Sequence, residues 1–157
     1  MIRLPNEILG LIVEYSKGED VITLSQTGYF GVFEKILRRH VRSTIVFDSL
    51  NVTDAGLEHL KGVHTINLTW CEKVTDAGLK YLNGVHEINL SDCEQVTNAG
   101  LKHLKGVHTI DLSCCYKVTD AGLEHLKGVH TICLYGCPQV KNDYIMVLRQ
   151  SGVIVRN

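Results

Sequence analysis

Matched against itself, the chain shows one dominant offset of 22 residues, with units beginning at Val52, Val74, Val96, Val118 and Val140. The first four share the string Val-Thr-Asp-Ala-Gly-Leu-x-x-Leu-x-Gly-Val-His-x-Ile-x-Leu-x-x-Cys, with Asn98 once in place of the aspartate. Lys-Gly-Val-His-Thr-Ile recurs unchanged at 61–66, 105–110 and 127–132. A fixed period of roughly 20–30 residues belongs to solenoids, whose units bury their apolar faces only by stacking on one another.

One unit can be read residue by residue. Thr75 is placed to cap a helix start, and Asp76 complements its positive end. Leu79 and Leu82 share one helix face, and Gly84 sits where the helix must stop. Gly78 lies inside the helix at a propensity cost, which predicts close packing against the adjacent repeat. Ile88 and Leu90 alternate with Glu87, Asn89 and Ser91, the pattern of a short half-buried strand. Each unit is thus a strand, a cysteine-bearing turn and a short helix, an α/β fold. Thr44–Phe47 reads as a first strand. The last unit, Val140–Leu148, loses Ala-Gly-Leu, gains Tyr144, Ile145 and Met146, and closes with Val153-Ile154-Val155. Six strands at most are expected over residues 44–157.

The units resemble cysteine-containing leucine-rich repeats, through Val63, Ile66, Leu68, Cys71, Val74, Thr75, Asp76, Gly78, Leu79 and Leu82 and their counterparts. The resemblance implies parallel strands on a concave side and short helices on a convex side. Residues 1–43 do not follow the repeat. Ile8, Leu9, Leu11, Ile12 and Tyr15 keep a helical period, as do Val21, Leu24, Phe33, Ile36 and Leu37. Pro5 suits a first helical turn, and Gly18-Glu19-Asp20 reads as a break with Asp20 capping the next helix. The expectation is a small three-helix segment. Its opening, Leu4-Pro5-Asn6-Glu7-Ile8 with Ile12 and Tyr15, followed by Asp20-Val21-x-x-Leu24-Ser25, resembles an F-box, with Ser16 and Gly28 as departures. That resemblance implies a Skp-type adaptor docked on Leu4, Pro5, Ile8, Ile12 and Leu24, and through it a cullin. The chain is then the substrate-recognition subunit of an SCF-type E3 ubiquitin ligase. It is not itself an enzyme, and a protein target held by the repeats goes to proteasomal degradation. Two alternatives remain: a repeat binding module whose N-terminal helices only cap the solenoid, and an F-box decoy without a substrate.

Charge narrows the partners. Lys plus Arg is 16 and Asp plus Glu 17, a formal net charge of −1, so binding of nucleic acid or a membrane surface by bulk charge is not expected. The basic run Lys35, Arg38, Arg39, His40 and Arg42 reads as the wet face of a helix. The apolar stretch Ile8–Val13 contains Gly10 and is too short for a signal core or a membrane span. Six cysteines without such a signal predict reduced thiols and an intracellular setting, cytoplasm or nucleus. Asn51, Asn67 and Asn89 match the glycosylation pattern and keep a secreted reading open. Cys71, Cys93, Cys115 and Cys137 recur one per repeat, with thiols roughly 5 Å apart at strand spacing. Without a Cys-x-x-Cys pair they read as buried small hydrophobes with a weak donor. His64, His86, His108 and His130 recur likewise and read as exposed repeat copies, so no metal or cofactor is expected. No nucleophile–base–orienter set occurs.

Positions that vary between copies are free of the common scaffold and can carry recognition. On the strands these are Thr65-Asn67-Thr69, Glu87-Asn89-Ser91, Thr109-Asp111-Ser113 and Thr131-Cys133-Tyr135. The following turn adds Trp70, Asp92, Cys114 and Gly136, then Glu72, Glu94 and Tyr116. Trp70, Glu87, Asp92, Asp111, Tyr116 and Tyr135 form the candidate target-binding surface, suited to a basic or mixed-charge segment. The competing reading is that Trp70 only shields the first repeat's open edge.

Overall fold

The computed structural model describes residues 52–157 throughout, the His59 side chain aside, and before them the backbone of three strands, Leu11–Ser16 (β1), Glu19–Leu24 (β2) and Thr44–Phe47 (β3). The later strands are Thr65–Asn67 (β4), Glu87–Asn89 (β5), Thr109–Asp111 (β6), Thr131–Cys133 (β7) and Ile154–Arg156 (β8). All eight lie side by side in chain order in one sheet. β1 and β2 are antiparallel, and every pair from β2–β3 onward is parallel. Ile45, Ile66, Ile88, Ile110, Ile132 and Val155 share one register row across β3–β8. The six expected strands are therefore present, and the N-terminal pair extends the sheet beyond them.

That pair corrects the helical reading of two segments. Leu11–Ser16 and Glu19–Leu24 are strands, with Ile12 opposite Thr23 and Leu24 opposite Leu11. Asp20 therefore caps no helix. Ile12-Val13 and Val21-Ile22-Thr23 are β-branched runs that favour extended backbone, and a repeat sheet offers a free edge to extend. Here edge pairing wins over the 3.6-residue pattern. Leu4, Pro5, Ile8 and the rest of the expected three-helix segment lie outside the described residues.

Within a unit, Asp76–Leu79 forms one helical turn, Lys80–Leu82 continues as a 3-10 turn, and Gly84 stops it at φ +85°. The Thr75 hydroxyl accepts the Ala77 N–H at 3.2 Å, the cap expected of it. Asp76 does more than complement the helix end. Its carboxylate reaches the next repeat, accepting the Thr97 N–H at 2.8 Å and the Thr97 hydroxyl at 2.6 Å. Asp54 does the same for Thr75, and Asp120 accepts the Lys141 N–H at 2.9 Å. This explains the buried Gly78, Gly100 and Gly122, which face Asp54, Asp76 and Asn98 of the preceding repeat. A Cβ on Gly100 would lie 2.4 Å from an Asp76 oxygen and 2.9 Å from a Leu79 methyl.

The core lies between strands and helices. In one unit Val74, Leu79, Leu82, Val85, Ile88, Leu90 and Cys93 are each at most 3% exposed. Such a unit is apolar on both faces that meet its neighbours, so the repeats share one continuous core. The last helix, Asn142–Gln150, is longer and buries Ile145. Tyr144 ties it back, its hydroxyl donating to Glu124 at 2.8 Å.

Candidate functional site

After each strand the chain turns through a left-handed residue: Trp70 at φ 63°, Asp92 at 59°, Cys114 at 59° and Gly136 at 66°. Glycine takes this conformation freely and Asp with little cost, but a bulky side chain there is uncommon. The turns stack through main-chain bonds. Trp70 N–H donates to Ser91 O at 3.0 Å, Asp92 N–H to Ser113 O at 2.9 Å, and Cys114 N–H to Tyr135 O at 2.7 Å. The varying residues after each strand therefore line one rim of the sheet at strand spacing, about 4.8 Å per step.

Three of the six exposed large hydrophobic residues among the described residues stand at this rim or beside it: Trp70 is 57% exposed, Tyr116 48% and Tyr135 54%. Tyr116 gathers its neighbours. Its phenol is pushed up from its ordinary range chiefly by Cys114, with smaller contributions from the carboxylates of Asp92 and Glu94. Gln139 fixes the same turn by donating to the Tyr116 carbonyl at 2.5 Å. Asp92 and Tyr116 of the expected surface are thus brought together, with Glu94 beside them, and Trp70 precedes Asp92 on the same rim by one main-chain stacking step.

The other expected residues divide. Tyr135 stands on the same rim two repeats on from Asp92, its carbonyl held by Cys114. One Asp111 oxygen is engaged in closing its own strand, accepting the Ser113 N–H at 2.9 Å and hydroxyl at 2.6 Å. Asn67 holds Thr69 and Asn89 holds Ser91 in the same way. These strand positions are therefore scaffold as well as surface, although they vary in type. Glu87 begins its strand, at the opposite end from the rim, with its carboxylate 3.7 Å from His86 Nδ1. It does not join the cluster.

The two repeated columns have structural roles. Three of the four buried thiols donate to a carbonyl of the preceding repeat: Cys93 to Leu68 at 3.0 Å, Cys115 to Leu90 at 3.2 Å and Cys137 to Leu112 at 3.0 Å. Burial pushes Cys71 up to about 12 and Cys93 and Cys137 up to about 11, and it raises Cys115 as well. Such thiols are protonated at neutral pH and serve as donors. The weak donor expected of these thiols is thus used between repeats. His64, His86, His108 and His130 stack with ring centroids 4.6, 4.6 and 4.7 Å apart. His64 and His108 are each 3.2 Å from the hydroxyl of the next threonine. Among the described residues no group of three or more His, Cys, Asp or Glu side chains is arranged to hold a metal ion. Nor is any helix among them long and apolar enough to cross a membrane.

The described residues define an α/β repeat solenoid with an aromatic rim. No protein-family model matches the chain, and no curated protein matches it. Among solved structures it is similar to a chain in the crystal structure of the Rad7 and Elc1 complex in yeast, at a TM-score of 0.56 and 14% identity. The match covers 71% of this chain and 31% of that one, so it spans about a third of that chain's length. At that identity the likeness is one of fold.

Proposed function

We propose that this chain is a protein-recognition subunit built on leucine-rich repeats, and that it serves an SCF-type ubiquitin ligase by holding a target for degradation. The observation that carries the recognition part is the rim. The scaffold's repeated residues are engaged in packing, capping or interrepeat bonds, whereas Trp70, Tyr116 and Tyr135 stay large and exposed. Solvated aromatic residues ringed by polar ones are typical anchors of protein interfaces. The scaffold binds and orients and carries out no reaction of its own.

The ligase part rests on the F-box resemblance of residues 1–40, ahead of the repeats, and is supported by the fold likeness to a protein solved as a complex with Elc1. On this reading Leu4, Pro5, Ile8, Ile12 and Leu24 meet a Skp-type adaptor, and the adaptor meets a cullin. The antiparallel pair β1–β2 favours a second reading, in which the N-terminal segment only closes the solenoid's edge. The two are separated by replacing Pro5 and Ile8 together with serine and offering the full chain a purified Skp-type adaptor. Loss of adaptor capture with unchanged circular dichroism supports the ligase subunit. Undiminished capture, or none by the unaltered chain, leaves the edge-closing reading.

A further inference from the structure

Trp70 occupies a left-handed backbone position that its counterparts fill with Asp92, Cys114 and Gly136. The scaffold's conformation at this turn thus favours residues unlike tryptophan, and the indole is more than half exposed. Beside it along the rim come the Asp92 carboxylate, one strand step away, and then Tyr116 with Glu94. An aromatic residue and a carboxylate on adjacent turns, one strand step apart (about 4.8 Å), suit one side chain above others. Arginine's planar guanidinium stacks on an aromatic ring and meets a carboxylate with two parallel N–H bonds. A lysine ammonium is more strongly hydrated and lacks the planar fork.

We propose that the rim of Trp70, Asp92, Glu94 and Tyr116 reads arginine in an extended segment of a partner polypeptide. The proposal deepens the recognition reading above and rests on it. The carboxylates of Asp92 and Glu94 beside Tyr116 select a cationic segment, while Lys117 of the same turn donates to Gln95 at 3.2 Å. Tyr135 lies farther along and extends the same surface for the residues that follow. Glu87, at the far end of its strand, takes no part.

The test uses the full 157-residue chain, whose only tryptophan is Trp70, so indole emission reports on the site itself. The probe is a blocked Gly-Arg-Gly-Arg-Gly peptide. A citrulline version keeps the shape without the charge, and a glutamate version inverts the charge. The arginine peptide is expected to change Trp70 emission saturably. The citrulline peptide should bind roughly tenfold more weakly or worse, and the glutamate peptide should give no saturable change. Asp92→Asn with Glu94→Gln keeps the left-handed turn acceptable and should weaken arginine binding by roughly tenfold without changing the circular dichroism. An equal response to citrulline, no saturable response to arginine, or undiminished binding by the double variant overturns the proposal. Adaptor capture is read on the same preparations. Peptide binding lost with capture intact sinks this inference alone, and capture absent with peptide binding intact sinks the ligase reading alone.

Discussion

Asn98 stands where its neighbours have Asp76 and Asp120, and the exchange of one oxygen for nitrogen reaches into the next repeat. Thr97 donates its hydroxyl hydrogen to Asp76, which leaves its oxygen free to accept the Ala99 N–H at 3.2 Å. Asn98 instead donates its amide N–H to the Thr119 hydroxyl at 2.8 Å, and Thr119 makes no side-chain cap. Asn98→Asp should restore that cap and stabilise the fold by about 0.5–1 kcal/mol, seen as a higher urea midpoint at unchanged slope. The left-handed rim supplies a second residue-scale test. Alanine ordinarily tolerates folding better than glycine by roughly 0.5–1 kcal/mol. At φ 63° the order should invert, with Trp70→Gly more stable than Trp70→Ala by about 1 kcal/mol, measured by urea unfolding followed by circular dichroism. The usual order would mean that the turn relaxes once the indole is gone. Neither effect follows from the repeat string alone. The string marks Asp and Gly as fixed, but not that one repeat's carboxylate sits where the next repeat's Cβ would be.

The cysteine column behaves as one element. Its thiols are buried donors, whereas Cys114 and Cys133 are only half buried. A thiol reagent at neutral pH should therefore modify two of the six cysteines in the native chain and all six in urea, with Cys114→Ser and Cys133→Ser each removing one native equivalent. The pH dependence has a definite sign. The thiols ionise near 9.0 when unperturbed, and Cys93 and Cys137 only near 11 and Cys71 near 12 in the fold. A raised folded value means that the column's contribution is whole below pH 9 and is lost as pH climbs through 11 to 12. Melting temperatures from pH 8 to 12 should fall across that interval, and less steeply in Cys93→Ala. At this scale the strands, turns and helices of the repeats were legible, because Leu79, Leu82, Ile88 and Leu90 carry unambiguous periods. The N-terminal segment was not. Leu11, Ile12 and Tyr15 fit a helical spacing, but Ile12-Val13 fits a strand as well, and only an available sheet edge decides between them. The rim was legible as a set of varying residues, but its left-handed backbone was not, although Gly136 and Asp92 at one register position were a hint.

At the scale of the whole molecule, a sheet assembled in chain order leaves β8 as its last strand, with exposed Ile154 and, on the adjoining helix, exposed Met146 and Val147. Arg149 covers part of that edge, donating to the Val155 carbonyl at 3.2 Å and to Asn157 Oδ1 at 2.5 Å. A charged side chain over edge carbonyls discourages strand addition by another chain. Arg149→Ala should therefore self-associate as concentration rises, in sedimentation runs where the unaltered chain does not. The bonds between repeats also have a grain. Thr75, Thr97, Thr119 and Lys141 each rely for a first hydrogen bond on Asp54, Asp76, Asn98 or Asp120 of the unit before. Strip a unit from the late end, and what remains exposed is a carboxylate that water serves well. Strip one from the early end, and a helix start loses its acceptor. The units overlap as roof tiles do, each resting on the one laid earlier, and a ribosome lays them in that order, so every new tile emerges onto a course already in place.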